Sequence, residues 1–276
     1  MKRKIDIAVI SDVHLGTKGC HAQELLTYLK SIKPDMLILN GDIIDMWQFK
    51  KSYFPKEHSK MLNRLLKMSI SGTKIYYITG NHDEALRQFS NLSLGDIHLR
   101  DSLSLMIGGK RHWFFHGDVF DTSVIRFPWL AKLGGRSYDF LVGMNKTVNF
   151  LLYSLGFEKI AFSKYIKMKV KKAVKFIHDF EQQAIQVAKN KAYDVVVCGH
   201  VHTPQLRTEG GILYLNSGDW VENLTALECV AGKWHIYHYH EFASELEKIK
   251  DDLLLTETEE EQFLQEPTAA FVKQFL

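Results

Sequence analysis

Five short apolar runs in this chain each end in a motif built from Asp, His or Asn, and this repetition constrains the fold more than any other feature. Ser11-Asp12-Val13-His14 follows the run 5–10. Gly41-Asp42 follows 36–40, and Gly80-Asn81-His82-Asp83 follows 74–79. His116-Gly117-Asp118 closes 113–116, and Gly199-His200-Val201-His202 closes 194–198. Short apolar runs of this length are buried strands. Between the first three, residues 22–32 and 58–70 repeat apolar positions at three and four, the period of an amphipathic helix. The order β-α-β-α-β predicts a parallel sheet with right-handed crossovers. In such a sheet, ligands bind outside the carboxyl ends of the strands. The five donor motifs therefore converge on one place.

Further strands are predicted at 103–107, 212–216, 225–230 and 234–239, with turns at Gly108-Gly109, Gly210-Gly211 and Ala231-Gly232. The expected fold is a layered α/β sandwich interrupted by a helical insertion. Residues 1–121 and 179–240 form the core. Residues 122–178 are the insertion, and 241–276 an acidic helix and tail. Charge supports that division. The net charge of +3 is small, but 122–178 carries eleven Lys/Arg against two acidic residues, and 241–276 carries ten Asp/Glu against three lysines. Three cysteines without metal-type spacing exclude a disulfide framework and suit a reducing compartment. The longest apolar stretch, 150–157, is too short to span a bilayer. The expected location is cytoplasmic, with attachment to the membrane surface left open.

Asp12, His14, Asp42, Asn81, His116, His200 and His202 are seven oxygen and imidazole donors, too many for one ion and suited to two. In Asp12-x-His14 and His200-x-His202, residues two apart in an extended segment share a side. Mixed O and N ligands without thiolate favour Mn²⁺, Fe or Zn²⁺ over Ca²⁺; Mn²⁺ is the expected metal, a choice that ligand type alone does not make. Asp45, Asp118 and Asp121 are either outer partners of the site or turn and capping residues. Asp219 and Trp220 are read as structural.

The five motifs, in this order and strand context, resemble the calcineurin-like metallophosphoesterases. Three further runs, 42–47, 116–121 and 216–222, resemble the bacterial UDP-2,3-diacylglucosamine diphosphatase group of lipid A biosynthesis. The resemblance implies that Asp12, His14, Asp42 and His202 hold one ion, and Asp42, Asn81, His116 and His200 the other, with Asp42 bridging. It implies hydrolysis of a diphosphate by metal-activated hydroxide, with His82 serving the leaving oxygen and Asp83 orienting His82. The best-known members of the group carry Arg where His82 stands. The implied substrate is a nucleotide-sugar lipid, UDP-2,3-diacylglucosamine or a relative, cut to UMP and a lipid 1-phosphate. The insertion would be a lid, and Arg87, Lys164, Lys167 and Lys171 the candidate substrate-binding residues. Nucleic acid is not an expected partner. The alternatives are a phosphodiesterase or nuclease of other specificity, favoured by the basic insertion, and a metal-free scaffold, disfavoured by the intact donor set.

Overall fold

The computed structural model describes residues 2–47, 53–120 and 162–244. Strands β1 (Arg3–Ile10), β2 (Ile32–Asn40) and β3 (Lys74–Ile78) run parallel, joined through helices α1 (Ala22–Ser31) and α2 (Lys56–Ile70). The register sets Ile7 beside Met36 and Val9 beside Ile38. A short hairpin, β4 (Ser93–Leu94) and β5 (Ile97–Arg100), extends this sheet beyond β3.

The second sheet starts with β6 (Ser102–Ile107) and β7 (Lys110–Phe115), a hairpin closed by Gly108-Gly109. Both glycines have positive φ, 56° and 75°, as a type I′ turn demands. Helix α3 (Phe162–Asn190) then leads to β8 (Val195–Cys198), followed by β9 (Gln205–Glu209) and β10 (Ile212–Asn216). The chain next crosses to the first sheet, where β11 (Thr225–Val230) lies antiparallel to β1 and β12 (Lys233–His238) forms the edge. The sheet orders are β12-β11-β1-β2-β3-β5-β4 and β6-β7-β8-β10-β9.

The two sheets face each other across one apolar layer. Ile7, Val9, Ile38, Ile78 and Leu227 come from the first sheet, and Phe114, Val195, Val197 and Leu215 from the second. Strands buried on both faces give continuous apolar runs rather than alternation, and the consecutive buried residues of β1, β2 and β8 are why these strands are legible in the sequence. The opposite face of the second sheet is covered by α3 through Phe180, Ala184, Ile185 and Ala188, spaced at four, one and three. Arg207 on β9 pins the same helix by pairing with Glu181 at 2.8 Å.

The layered α/β sandwich is the expected architecture. The edge strands β6 and β12 match the strands expected at 103–107 and 234–239, whereas β4, β5 and β9 were not anticipated: they are short, exposed or half-exposed and polar, so they carry no continuous apolar signal. Helix α3 runs through residue 178, so a boundary between insertion and core there falls inside a helix. Most of the insertion, 121–161, and the tail from 245 lie outside the described residues. Residues 238–276 group as a second unit, of which a helical turn up to Ser244 is described. No helix among the described residues is long and apolar enough to cross a membrane.

Candidate metal centre

The strand ends meet as expected, and the backbone is strained where they do. Asp12, His14, Asp42, His200 and His202 all have positive φ, between 51° and 67°. Non-glycine residues in this region cost of order 1–3 kcal/mol each and persist only where the surroundings over-determine them. The surroundings do so by hydrogen bonding across loops. Asp12 N donates to Gly41 O, and both Val13 N and His14 N donate to Asp42 O. His200 N donates to Asp12 Oδ2 at 3.0 Å, and His82 N donates to Asp42 Oδ1 at 2.8 Å. Glycine is required where the chains touch. A Cβ on Gly41 would lie 2.2 Å from His116 Nδ1, and one on Gly80 would lie 2.2 Å from Asp42 Oδ1.

Two donor clusters result. Asp12, His14 and His202 form the first, and Asp42, His116 and His200 the second, each with ligand atoms within 4.8 Å of one another. In the first, His202 Nε2 lies 3.0 Å from Asp12 Oδ1. In the second, His116 Nε2 lies 3.2 Å from Asp42 Oδ2, while its Nδ1 lies 2.9 Å from Asn40 O. Asn81 Oδ1 is buried with no hydrogen-bond partner among the described residues, while the polar contacts of Asp12 Oδ1 and His116 Nε2 are with His202 and Asp42, fellow members of their own clusters. Buried polar atoms left unpaired are expensive. An unpaired oxygen on one expected ligand, and carboxylates and imidazoles turned toward one another on the others, is the pattern that cations would satisfy, and so the residues fit divalent metal.

The electrostatics agree. Burial pushes the Asp12 carboxyl up, but His202, His116 and His14 outweigh it and hold it well below the usual range. Burial likewise opposes Asp42, yet His116 brings it down to about 2. Both are therefore anionic, as ligands must be. His116 is the converse: burial lowers its pKa, but Asp42, Asp12 and Asp118 raise it well above the ordinary value. A cation at Nε2 would displace that proton.

A third cluster, His14, Asp45 and His82, adjoins the first. Asp45 Oδ2 lies 2.9 Å from His82 Nδ1 and 3.2 Å from His14 Nδ1. The partner of His82 is thus Asp45, where the sequence pointed to Asp83. The Asp83 carboxylate is occupied elsewhere, accepting from Gly80 N at 2.6 Å, Ile43 N at 2.9 Å and Tyr77 Oη at 2.6 Å. It ties the loop after β2 to the loop after β3. Trp47, about half exposed, lies against His82 with ring centroids 4.4 Å apart.

Of the substrate-binding candidates, Arg87 and Lys171 are the two whose side chains are described. Arg87 is paired with Asp118 at 2.8 Å and lies 3.7 Å from Asp101. The side chains of Lys164 and Lys167 lie outside the described residues, as does Asp121. Lys171 is exposed on α3. It precedes Phe180, which contacts His200, by nine residues, or about 13.5 Å of helix.

Comparison with known proteins accords with this geometry. The calcineurin-like phosphoesterase family model matches residues 5–204. A UDP-2,3-diacylglucosamine hydrolase of Photorhabdus laumondii is 26% identical over 215 residues, 71% of this chain and 81% of that protein. The protein of the same name from Stenotrophomonas maltophilia is 23% identical over 82% of this chain and 96% of its own length. That from Porphyromonas gingivalis is 28% identical over 125 residues, 42% of this chain, and there the chain spans about half the relative's length, 47%. Among solved structures, YfcE, a phosphoesterase from E. coli, is similar with a TM-score of 0.45 and 13% identity, covering 85% of this chain and 93% of that one.

Proposed function

The chain belongs to the calcineurin-like phosphoesterase family, a family of metal-dependent hydrolases, and on that premise we propose that it hydrolyses the diphosphate of a nucleotide-linked lipid. UDP-2,3-diacylglucosamine is the leading substrate, supported by the names of its relatives. Asp12, His14, Asp42 and His202 would hold one divalent cation, and Asp42, Asn81, His116 and His200 a second, Mn²⁺ being the first metal to test. The observation that carries this reading is the meeting of the donors in two clusters, Asp12–His14–His202 and Asp42–His116–His200, together with the buried and unpartnered Asn81 Oδ1. Asp42 is suited to bridge, because it touches His116 and also feels the charges of Asp12 and His14. Bound there, the cations supply Lewis acidity toward phosphoryl oxygens and acidify a water.

The protein's own groups do the rest. Burial lowers the pKa of His82, but the hydrogen bond to Asp45 and the charges of Asp42, Asp45 and Asp12 raise it overall. These carboxylates thus favour the protonated imidazole. With Nδ1 held on Asp45, Nε2 faces Asp42 at 4.0 Å. That edge of the ring is suited to donate to the leaving phosphoryl oxygen. Trp47 and His14 flank the ring, with centroids 4.4 Å and 4.6 Å away, and restrict its rotation.

A two-chain lipid substrate lives in a membrane leaflet, so the work would be done at the cytoplasmic membrane face. Residues 122–178 would then serve as a lid. The test is Mn²⁺-dependent turnover on UDP-2,3-diacylglucosamine, simple nucleotide diphosphates and single-stranded DNA. Preferential cleavage of the lipid, with UMP released, is the expected result. Preferential cleavage of DNA would replace the lipid reading with a nuclease.

A further inference from the structure

The crossover from β10 to β11, residues 217–224, supplies none of the expected metal ligands, yet it contacts the first donor cluster on both sides. Trp220 N donates to Asp12 O at 3.1 Å, on the first sheet. Ser11 Oγ, one residue earlier, lies 2.7 Å from Ser217 Oγ and donates to Gly218 O at 3.0 Å. On the second-sheet side, Asn223 Nδ2 donates to His202 O at 2.8 Å. The same amide also bonds to Asp219 Oδ2, and Asp219 Oδ1 accepts from Val221 N at 2.9 Å and Asn223 N at 3.2 Å. Asp219 is fully buried, so this turn is rigid. One stiff segment therefore grips the carbonyls of two residues, Asp12 and His202, that both hold strained positive φ.

The second cluster is held differently. Asn40, at the end of β2, donates through Nδ2 to Phe115 O at 3.0 Å, and its own carbonyl lies 2.9 Å from His116 Nδ1. The crossover makes neither of those contacts.

We infer that Asn223 is a positioning residue for the first cation subsite alone, fixing His202 opposite Asp12 across the gap between the sheets. The inference rests on the dinuclear reading above. Partners that orient metal ligands typically account for 10–100-fold in metal affinity. Removing the amide takes the Asn223 donor from the His202 carbonyl, loosens the backbone that holds its positive φ, and lets the imidazole move from Asp12. The second subsite, tied through Asn40, keeps its geometry.

The test is Mn²⁺ binding to the whole chain by calorimetry, with electron paramagnetic resonance to separate a spin-coupled pair from an isolated ion. Wild type is expected to bind two Mn²⁺ as a coupled pair. Asn223→Ala is expected to keep one ion at wild-type affinity, to bind the other roughly 10–100-fold more weakly, and to show the isolated-ion spectrum at limiting Mn²⁺. Added to His202→Ala it should cause no loss beyond that of His202→Ala alone, whereas added to His200→Ala it should leave both ions weakened. Should Asn223→Ala not fold, Asn223→Ser is read in the same way, because the shorter side chain does not reach the His202 carbonyl. Two ions at wild-type affinity in the folded variant, or equal weakening of both, overturns the inference. Fewer than two ions in the wild type overturns the dinuclear reading first, and the two failures are thus distinguishable.

Discussion

The two donor clusters lean on the loops to different degrees. In the first, all three members, Asp12, His14 and His202, sit at positive φ, so the loops do the shaping. In the second, His116 ends a core strand, and its ring fills the space that a Cβ on Gly41 would need. Phe180 of α3 packs beside it, against Gly117 and His200. The first cluster is thus held entirely from loops, whereas the second adds to two loop-borne ligands, Asp42 and His200, one that is locked sterically in the core, His116. A loop-built site relaxes when one bond is removed, while a core-built site resists small changes and fails at a single clash.

Asp42→Asn should have the largest effect, because it removes the carboxylate proposed to serve both clusters. Both ions should bind more weakly, and turnover at saturating Mn²⁺ should fall by at least the roughly 10²–10³-fold typical of one electrostatic group. Near-normal turnover in steady-state assays would remove the bridge and with it the pairing of the clusters. Gly41→Ala comes next. Its methyl would meet His116 at 2.2 Å at a φ of +85°, so the second cluster should lose its ion while the first keeps one. Metal analysis of the purified variant gives the count, and retention of two ions would contradict a sterically locked second cluster. His82→Ala should cost no ion at all. It should lower turnover by roughly 10²-fold or more, the usual share of a proton donor, with two ions still bound. Loss of an ion would make His82 a ligand.

The same contrast decides what the sequence disclosed. Asp12, Asp42, Asn81, His116 and His200 were legible because each follows a buried strand, and a buried strand writes a continuous apolar run. The local helix and strand periods likewise disclosed β1 to β3 and the two helices between them. What stayed hidden depends on contacts remote in sequence. Asp45 reaches His82 across 37 positions, and Asn223 reaches His202 across 21. The resemblance implied the neighbouring Asp83 as the partner of His82. The fold turned that carboxylate toward Gly80 and Ile43 N–H groups and gave His82 the more distant one. The polar edge strands escaped for a related reason, since solvent on one side erases the apolar run.

The smallest expected effect tests the loop-built side from its outer wall. His58 on α2 is buried and accepts a hydrogen bond at Nδ1 from Gly16 N, 3.0 Å away, on the loop that follows His14. Accepting that bond requires the neutral imidazole. Burial lowers the pKa of His58, against a smaller opposing pull from Glu57. An imidazole whose folded pKa is depressed stabilises the fold above its unfolded pKa of about 6.5 and loses that contribution as the pH falls through the folded value. Acidification from pH 7.5 to 5.5 should therefore lower the melting temperature, and His58→Gln should flatten the part of that slope that His58 contributes. An amide oxygen can accept from Gly16 N at every pH, so the variant should also hold the loop in acid. The expected difference is about 1 kcal/mol, the net worth of one hydrogen bond. Parallel melting curves for wild type and variant across this range would show that the outer wall does not depend on His58. Steeper acid loss in the variant would assign the sensitivity to other groups.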